Sequence, residues 1–488
     1  MKIIINGLLF LFLINTLDCY IYSKNNRLYD ENGLERLFRG VNVVYKGYPW
    51  YPDIDDFNHK TSFNIDDVNI LKRWGFNSIR LGVMWPGLEP EINNYDYDYL
   101  DKLEYIVKIC SQNDIYVILD FHQDLLSRYF CGEGVPDWVE FSGNKTHKFP
   151  YPIDKNYTFI NNIPTRKDCD KHYWVEYQFT QMVSSAYQDL YDNYNGLRDK
   201  FIDFWKTIAT RFKNYNNIIG YELINEPWAG DIFKHPSLLI PKIADRDNLD
   251  NFYNHIVAGI REVDKKNAIL FESVTWDIYG VGFRETPLNN ANLSILSYHA
   301  YYPPNIFIED TFKIRIRDLK RLNIGGFLTE FGYGSGNTGD IKDLENALKI
   351  LEYADKYIQS WTIWDYKIFY PLTGSNIGFF NSDGSLTNTY YTLSRPYPIY
   401  VEGSIDKILF NNKTRVFNFA YKPNYKIFRN TKVYINENLH YPNGYILTIT
   451  PKNSVILDRQ KHYLLLDLDR TIEVSTINVL IKPKTMDF

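Results

Sequence analysis

Tyr221-Glu222-Leu223-Ile224-Asn225-Glu226-Pro227 reads as an apolar strand that ends in an Asn-Glu-Pro turn. A buried run that stops at a carboxylate-bearing corner is what a parallel (β/α) barrel presents at the catalytic end of a strand. A second such corner follows where Gly325-Gly326-Phe327-Leu328-Thr329 runs into Glu330-Phe331-Gly332. Either glutamate alone has a bland explanation, Glu226 as the cap of a helix and Glu330 as the partner of an arginine. Together, with room between them for further strands, they supply the acid and the nucleophile that glycoside hydrolysis requires.

Working outward, eight short apolar runs recur at 37–43, 76–82, 115–121, 218–225, 268–273, 294–299, 325–330 and 359–364. Most are separated by segments of helical period, such as Tyr99 to Gln112 and Leu249 to Lys265. Strands alternating with helices spell an α/β chain, a (β/α)8 TIM barrel. After Arg395-Pro396-Tyr397-Pro398 the pattern changes to short alternating stretches punctuated by turns, which read as a small C-terminal β-sandwich. The expected division is 1–19 as a secretory signal, 20–396 as the catalytic barrel and 397–488 as the sandwich. Residues 20 to 36 read as a hairpin with its turn at Asn32-Gly33, able to plug the bottom of the barrel. The insertion at about 123–200 is too long for a βα loop of about two to six residues and is a candidate lid or substrate wall, against the alternative of a decorative subdomain.

A length of 488 residues holds a barrel plus a smaller unit, and a net charge of −5 gives no basic footprint for nucleic acid. The aromatic content of 17%, led by 41 Tyr, is assigned mainly to compositional bias rather than to sugar stacking. Lys2 followed by the apolar stretch Ile3 to Ile14 suits a secretory signal and is too short to span a bilayer. A secreted or luminal chain without a transmembrane helix is therefore expected, and sequons at Asn144, Asn156, Asn292 and Asn412 fit that route. Cys110 falls in an amphipathic pattern as a small buried hydrophobe, while Cys131 and Cys169 share one irregular segment and are expected to form a disulfide.

Further segments carry a family resemblance: Arg39-Gly40-Val41-Asn42, Arg80-Leu81-Gly82-Val83-Met84-Trp85-Pro86-Gly87, Asp120-Phe121-His122-Gln123-Asp124 and Cys131-Gly132-Glu133-Gly134-Val135-Pro136-Asp137-Trp138. With Asn225-Glu226-Pro227 and Glu330 they resemble glycoside hydrolase family 5, and within it the endoglycoceramidases, which cleave between glycan and ceramide in glycosphingolipids. The resemblance implies Glu330 as nucleophile, Glu226 as acid/base and Arg80 beside Glu330, where its fixed charge favours the ionised nucleophile. It also implies glycan contacts at Lys46 and Trp174. Asn225 is placed to bond the sugar 2-hydroxyl. His122, Asp124, His299 and Tyr301 complete a polar floor, with Tyr301 bonded to Glu330. Trp364 offers an apolar face to a sugar ring, whereas Trp361 points to the opposite side of its strand. The nearby Glu330 charge is expected to raise Glu226 above about 4.3.

Gly334-Ser335-Gly336-Asn337-Thr338-Gly339 matches a dinucleotide pattern, but Glu352 and Asp355 beyond it fall in a helical period, so it reads as a loop. No metal motif or P-loop is present, so neither metal nor other cofactor is implied. The expected partner is a glycosphingolipid, with transient membrane-surface or activator contact, and the chain is expected to be a monomer. Two rivals stand beside this reading. One is a related β-glucosidase or endoglucanase acting on steryl or glucosyl lipids or β-glucans; the other, of a different class, is a non-catalytic glycolipid-binding protein.

Overall fold

The apolar runs become eight parallel strands: β1 (Arg39–Val43), β2 (Ser78–Val83), β3 (Tyr116–Phe121), β4 (Ile218–Glu222), β5 (Ala268–Glu272), β6 (Ser294–Tyr302), β7 (Gly325–Tyr333) and β8 (Ser360–Ile363). The structure, a computed structural model, describes residues 20–143, 147–275, 279–302, 307–333, 341–369 and 378–484. Each strand pairs in parallel with the next, and β8 returns to β1 to close a barrel. Strands such as β1, β2, β4 and β5 are buried along their whole length, which is why they read as continuous apolar runs rather than alternating ones. Gly40 is required at the β1–β2 seam, since a Cβ there would lie 2.1 Å from the Ser78 carbonyl oxygen.

The N-terminal segment is a three-stranded meander, Ile21–Lys24, Arg27–Asp30 and Glu35–Arg36, rather than the single hairpin expected. Its second turn is at Asn32-Gly33 as read; the first is at Asn25-Asn26, whose φ values of 50° and 61° suit asparagine's tolerance of the left-handed region. Ile21 and Leu28 pack on Phe38, Ile118, Ile219, Leu270, Ile295 and Phe327 at the strand starts, so the meander plugs the barrel's N-terminal end.

Glu35–Arg36 also pairs with Tyr400–Val401, and the meander thereby extends a C-terminal antiparallel sheet to seven strands. Its other strands are Tyr397–Val401, Asn430–Tyr434, Tyr463–Leu468 and Val455–Gln460. A second sheet of four strands, Gly403–Phe410, Phe417–Pro423, Ile477–Pro483 and Tyr445–Thr450, shares a core with the first through Val401, Phe417, Phe419, Tyr434, Leu464 and Val479. This is the β-sandwich.

Between β3 and β4 the insertion carries a short hairpin (Phe159–Ile160 with Ile163–Pro164) and the helix Gln181–Tyr191, before the barrel helix Leu197–Phe212. Cys131 and Cys169 are disulfide-bonded across it, and Cys110 is free and buried, its thiol pushed up by burial. Asn156 and Asn292 are exposed, and Asn412 is half-buried and accepts a hydrogen bond from Arg415. The leader expected at 1–19, the sequon at Asn144 and the loop expected at Gly334 to Gly339 fall outside the described residues. Among the described residues no helix is long and apolar enough to cross a membrane.

Candidate active site

At the C-terminal end of the barrel one guanidinium organises four strands. Arg80 on β2 is fully buried; its Nε donates to Glu222 Oε2 at 2.5 Å and its Nη1 to Asn42 Oδ1 at 3.0 Å and Glu330 Oε1 at 2.6 Å. Nη2 donates to Asn225 Oδ1 at 2.8 Å and stands 3.0 Å from Asp120 Oδ1. A planar fork of five N–H donors reaches more acceptors at once, and in one plane, than the three donors of an ammonium can. Burial alone would lower Arg80, but Asp120, Glu222 and Glu330 hold it above its ordinary value.

Glu330 is held by both oxygens, since Tyr301 Oη donates to Oε2 at 2.5 Å. Burial and the Glu330 charge raise the Tyr301 phenol, so it remains a neutral donor. The β6–β7 register shifts between Tyr298 and His299, which pairs His299 with Glu330. Bulges of this kind re-aim side chains next to active sites.

Glu226 sits at φ 39°, a sparsely populated region for a side chain other than glycine. Its backbone N–H donates to Glu272 Oε2 at 2.9 Å, and Gln123 Nε2 donates to the carbonyls of Asn225 and Glu226 at 2.5 and 3.3 Å. Gln123 is itself fixed by Tyr187 Oη at 2.7 Å. Asn225 Nδ2 gives one of its two hydrogens to the Gln123 carbonyl at 3.0 Å. The unusual backbone is thus held from both sides.

His299 meets three carboxylates through Nδ1: Glu226 Oε1 at 2.8 Å, Glu272 Oε1 at 3.6 Å and Glu330 Oε2 at 3.7 Å. Burial alone would lower its pKa, but Glu272, Glu330 and Glu226 outweigh burial and raise it to about 10, so the ring is an imidazolium at neutral pH. Burial raises Glu226, against the opposing His299 and with help from Glu330, which suits a proton donor. Glu272 is raised by burial to about 8, with His299 opposing.

On the other side of the site Lys46 contacts Asp124, lies 3.4 Å from Glu133 Oε1 and sits 4.7 Å above the Trp364 ring. His122 stacks on Trp364 with 13° between planes and bonds Asp120 Oδ2 through Nδ1 at 2.8 Å. Burial, Lys46 and Arg80 keep His122 neutral. Trp364 is only 7% exposed, so the free face expected for a sugar is narrow. Trp361 packs beneath, against Phe76 and Phe331, as expected. Trp174 stands apart on the insertion, 38% exposed, and no described contact joins it to the glutamates.

Sequence reading missed Asp120, Glu222 and Glu272, each a charged residue at or next to the end of its strand, and also Asn42, Gln123 and Glu133. A charge at the same end of several barrel strands was the available signal. Three groups have donor atoms within 4.8 Å of one another: His122, Asp124 and Glu133; Glu222, Glu272 and His299; and Glu226, His299 and Glu330. Lys46 already neutralises the first, and a protonated His299 is no ligand in the other two, so proton and cation pairing suits these donors better than a metal. The third group also places a Glu226 oxygen within 4.8 Å of a Glu330 oxygen.

Residues 29–369 match the family described as Cellulase (glycosyl hydrolase family 5), and residues 395–479 match the glycoside hydrolase family 5 C-terminal domain. An endoglycoceramidase of Hydra vulgaris is 42% identical over 92% of this chain and 86% of its own. One of Cyanea nozakii is 39% identical, with 93% and 92% covered. The fold is similar to that of endo-glycoceramidase II from Rhodococcus sp. solved as a ganglioside GM3 complex, with a TM-score of 0.75 at 19% identity over 94% of this chain and 99% of that one.

Proposed function

The chain belongs to glycoside hydrolase family 5, and from that premise we propose that it is a secreted, retaining endo-β-glycosidase that releases intact oligosaccharide from the ceramide of glycosphingolipids. The observation that carries the retaining chemistry is the closeness of Glu226 and Glu330, with carboxylate oxygens within 4.8 Å. Carboxyls about 5 to 5.5 Å apart suit double displacement, whereas inversion leaves about 6.5 to 9.5 Å for a water. Glu330, aligned by Arg80 and Tyr301, attacks the anomeric carbon as Glu226 protonates the leaving ceramide oxygen. Glu226 then takes a proton from water, which displaces Glu330 from the anomeric carbon.

The lipid half of the substrate is supported by the names of the relatives and by the surface around the site. Leu239 and Ile240 in the segment after β4 are 51% and 57% exposed, and Phe307 after β6 is 68% exposed, all on the catalytic side of the barrel. An open glucan groove would instead call for a row of exposed indoles. Among the described tryptophans only Trp174 is exposed, while Trp85, Trp205, Trp228 and Trp361 are buried. Secretion is supported by the Lys2 to Ile14 leader pattern and by the disulfide.

Digestion of mixed glycosphingolipids, with mass analysis of both products, tests this reading. Intact glycan and free ceramide are expected, with the β-anomer formed first. Stepwise release of monosaccharide, or faster hydrolysis of a soluble β-glucan, would overturn it.

A further inference from the structure

Three carboxylates converge on His299, but two suffice for the double displacement. The third, Glu272, touches neither Arg80 nor Glu330 in any described bond and still makes two connections to the acid/base. Its Oε2 accepts the backbone N–H of Glu226 at 2.9 Å, and its Oε1 lies 3.6 Å from His299 Nδ1. His299 Nδ1 in turn lies 2.8 Å from Glu226 Oε1. The three form a closed, buried ring of contacts between β5, β6 and the corner after β4.

We propose that Glu272 is a positioning residue for the acid/base: it anchors the Glu226 backbone and keeps His299 a hydrogen-bond donor, so that the catalytic proton is confined to Oε2 of Glu226. The proposal rests on Glu226 being the acid/base.

A carboxylic acid has two oxygens but one proton. If His299 Nδ1 donates to Oε1, the acid proton is directed to Oε2, leaving Oε1 as an acceptor. If the ring loses its charge with the lone pair at Nδ1, the proton of Glu226 is drawn to Oε1 and turned toward the histidine. Glu272 opposes that loss as it ionises, at about 8, because a negative group beside an imidazolium favours its charged form. His299 also faces Glu330 on β7, Glu226 and the more distant Asp120 on β3. Glu272 faces His299, Glu226 and Glu222, and the Tyr253 hydroxyl is bonded to its backbone carbonyl at 2.6 Å. None of these others accepts the Glu226 N–H. The same bond steadies a left-handed φ of 39°, a conformation the surroundings must impose on a glutamate.

The experiment is Glu272→Gln, which retains an oxygen for the Glu226 N–H and removes the charge. Imidazole 15N NMR on 15N-histidine-labelled protein, with the signal assigned through His299→Asn, reads the ring directly and without substrate. Wild-type His299 should remain protonated above pH 8, and Glu272→Gln should lower its titration by about one pH unit or more. In kinetics, kcat/KM for glycolipid should fall about 10- to 100-fold, while an aryl glycoside with a good leaving group loses less than about threefold.

Should Glu272→Gln not fold, Glu272→Asp retains the charge and is expected to keep the wild-type His299 titration with a reduced rate. A His299 titration unchanged in Glu272→Gln, or displaced in Glu272→Asp, overturns the proposal. So does an equal loss on both substrates. If the protein cleaves no glycolipid at all, the substrate reading fails, while the NMR result still judges Glu272.

Discussion

Tyr301 holds the one oxygen of Glu330 that Arg80 leaves free: the phenol donates to Oε2 at 2.5 Å and the guanidinium to Oε1 at 2.6 Å. The carboxylate therefore cannot rotate without breaking a charge-assisted hydrogen bond. Attack through either oxygen requires one of these bonds to weaken as charge moves to the anomeric carbon. In the proposed mechanism the neutral phenol is the donor more easily given up, so attack through Oε2 is expected.

Tyr301→Phe accordingly removes alignment without removing charge. Its kcat should fall by about 10- to 100-fold, with KM changed less than about threefold. A variant that keeps the full kcat means that Arg80 alone orients Glu330.

Arg80→Lys should do more damage than its conservative look suggests. One ammonium cannot serve Asp120, Glu222, Asn225 and Glu330 together, and breaking a buried pair costs about 3–5 kcal/mol. A drop in Tm of several degrees, together with loss of at least 100-fold in kcat, is expected. Retention of the wild-type Tm would show that the network is not structural.

Much of this was legible in the residues. Each of the eight strands starts within one of the eight apolar runs, with β2, β6 and β7 running past the ends, because buried parallel strands leave a local signature. Glu226 stood out because it follows such a run directly, and Glu330 because it closes one. Glu272 did not, since it lies within its run and no Asn-Glu-Pro corner marks it; its role arises from β6 and the β4 corner meeting in space. The pairing of Glu35–Arg36 with Tyr400–Val401 was equally silent, for contacts across most of the chain leave no short-range pattern. Trp174 was carried over from resemblance alone, and resemblance fixes a residue type without fixing its distance from the glutamates.

The disulfide makes a separate prediction. Linking residues 38 apart, Cys131–Cys169 should stabilise the insertion by about 2–4 kcal/mol, and Cys131→Ser should expose its hairpin to proteolysis. A non-reducing peptide map should recover the linked pair, with Cys110 protected from alkylation until unfolding. Both cysteines recovered as free thiols from unreduced, secreted protein would remove the staple.

Glu35 joins the meander to the sandwich and gives a pH dependence of known sign. It accepts the Ile405 N–H at 2.8 Å and pairs with Arg27 at 3.2 Å, yet burial raises it from 4.5 to about 7. The folded chain thus binds this proton more tightly than the unfolded chain. The associated stability is fully present below pH 4.5 and is lost as pH rises through about 7. Glu35→Gln should flatten that loss, leaving the variant about 1–3 kcal/mol more stable than wild type at pH 8 relative to pH 4. Parallel Tm-against-pH curves for the two chains would disprove it.

The roles of the two glutamates separate by leaving group. In the proposed reaction ceramide is a poor leaving group that needs the proton of Glu226, whereas an activated phenol leaves largely unaided. Glu226→Ala should therefore lose at least 100-fold more kcat/KM on glycolipid than on an aryl glycoside, while Glu330→Ala loses both. Azide, as a small replacement nucleophile, should partly rescue the second variant. Because burial raises Glu226 above 4.5, wild-type activity should decline on an alkaline limb as this proton is lost. In Glu226→Ala that limb should vanish. If the variant impairs both substrates equally and the limb persists, the proton comes from another group, and the assignment of Glu226 as acid/base is wrong.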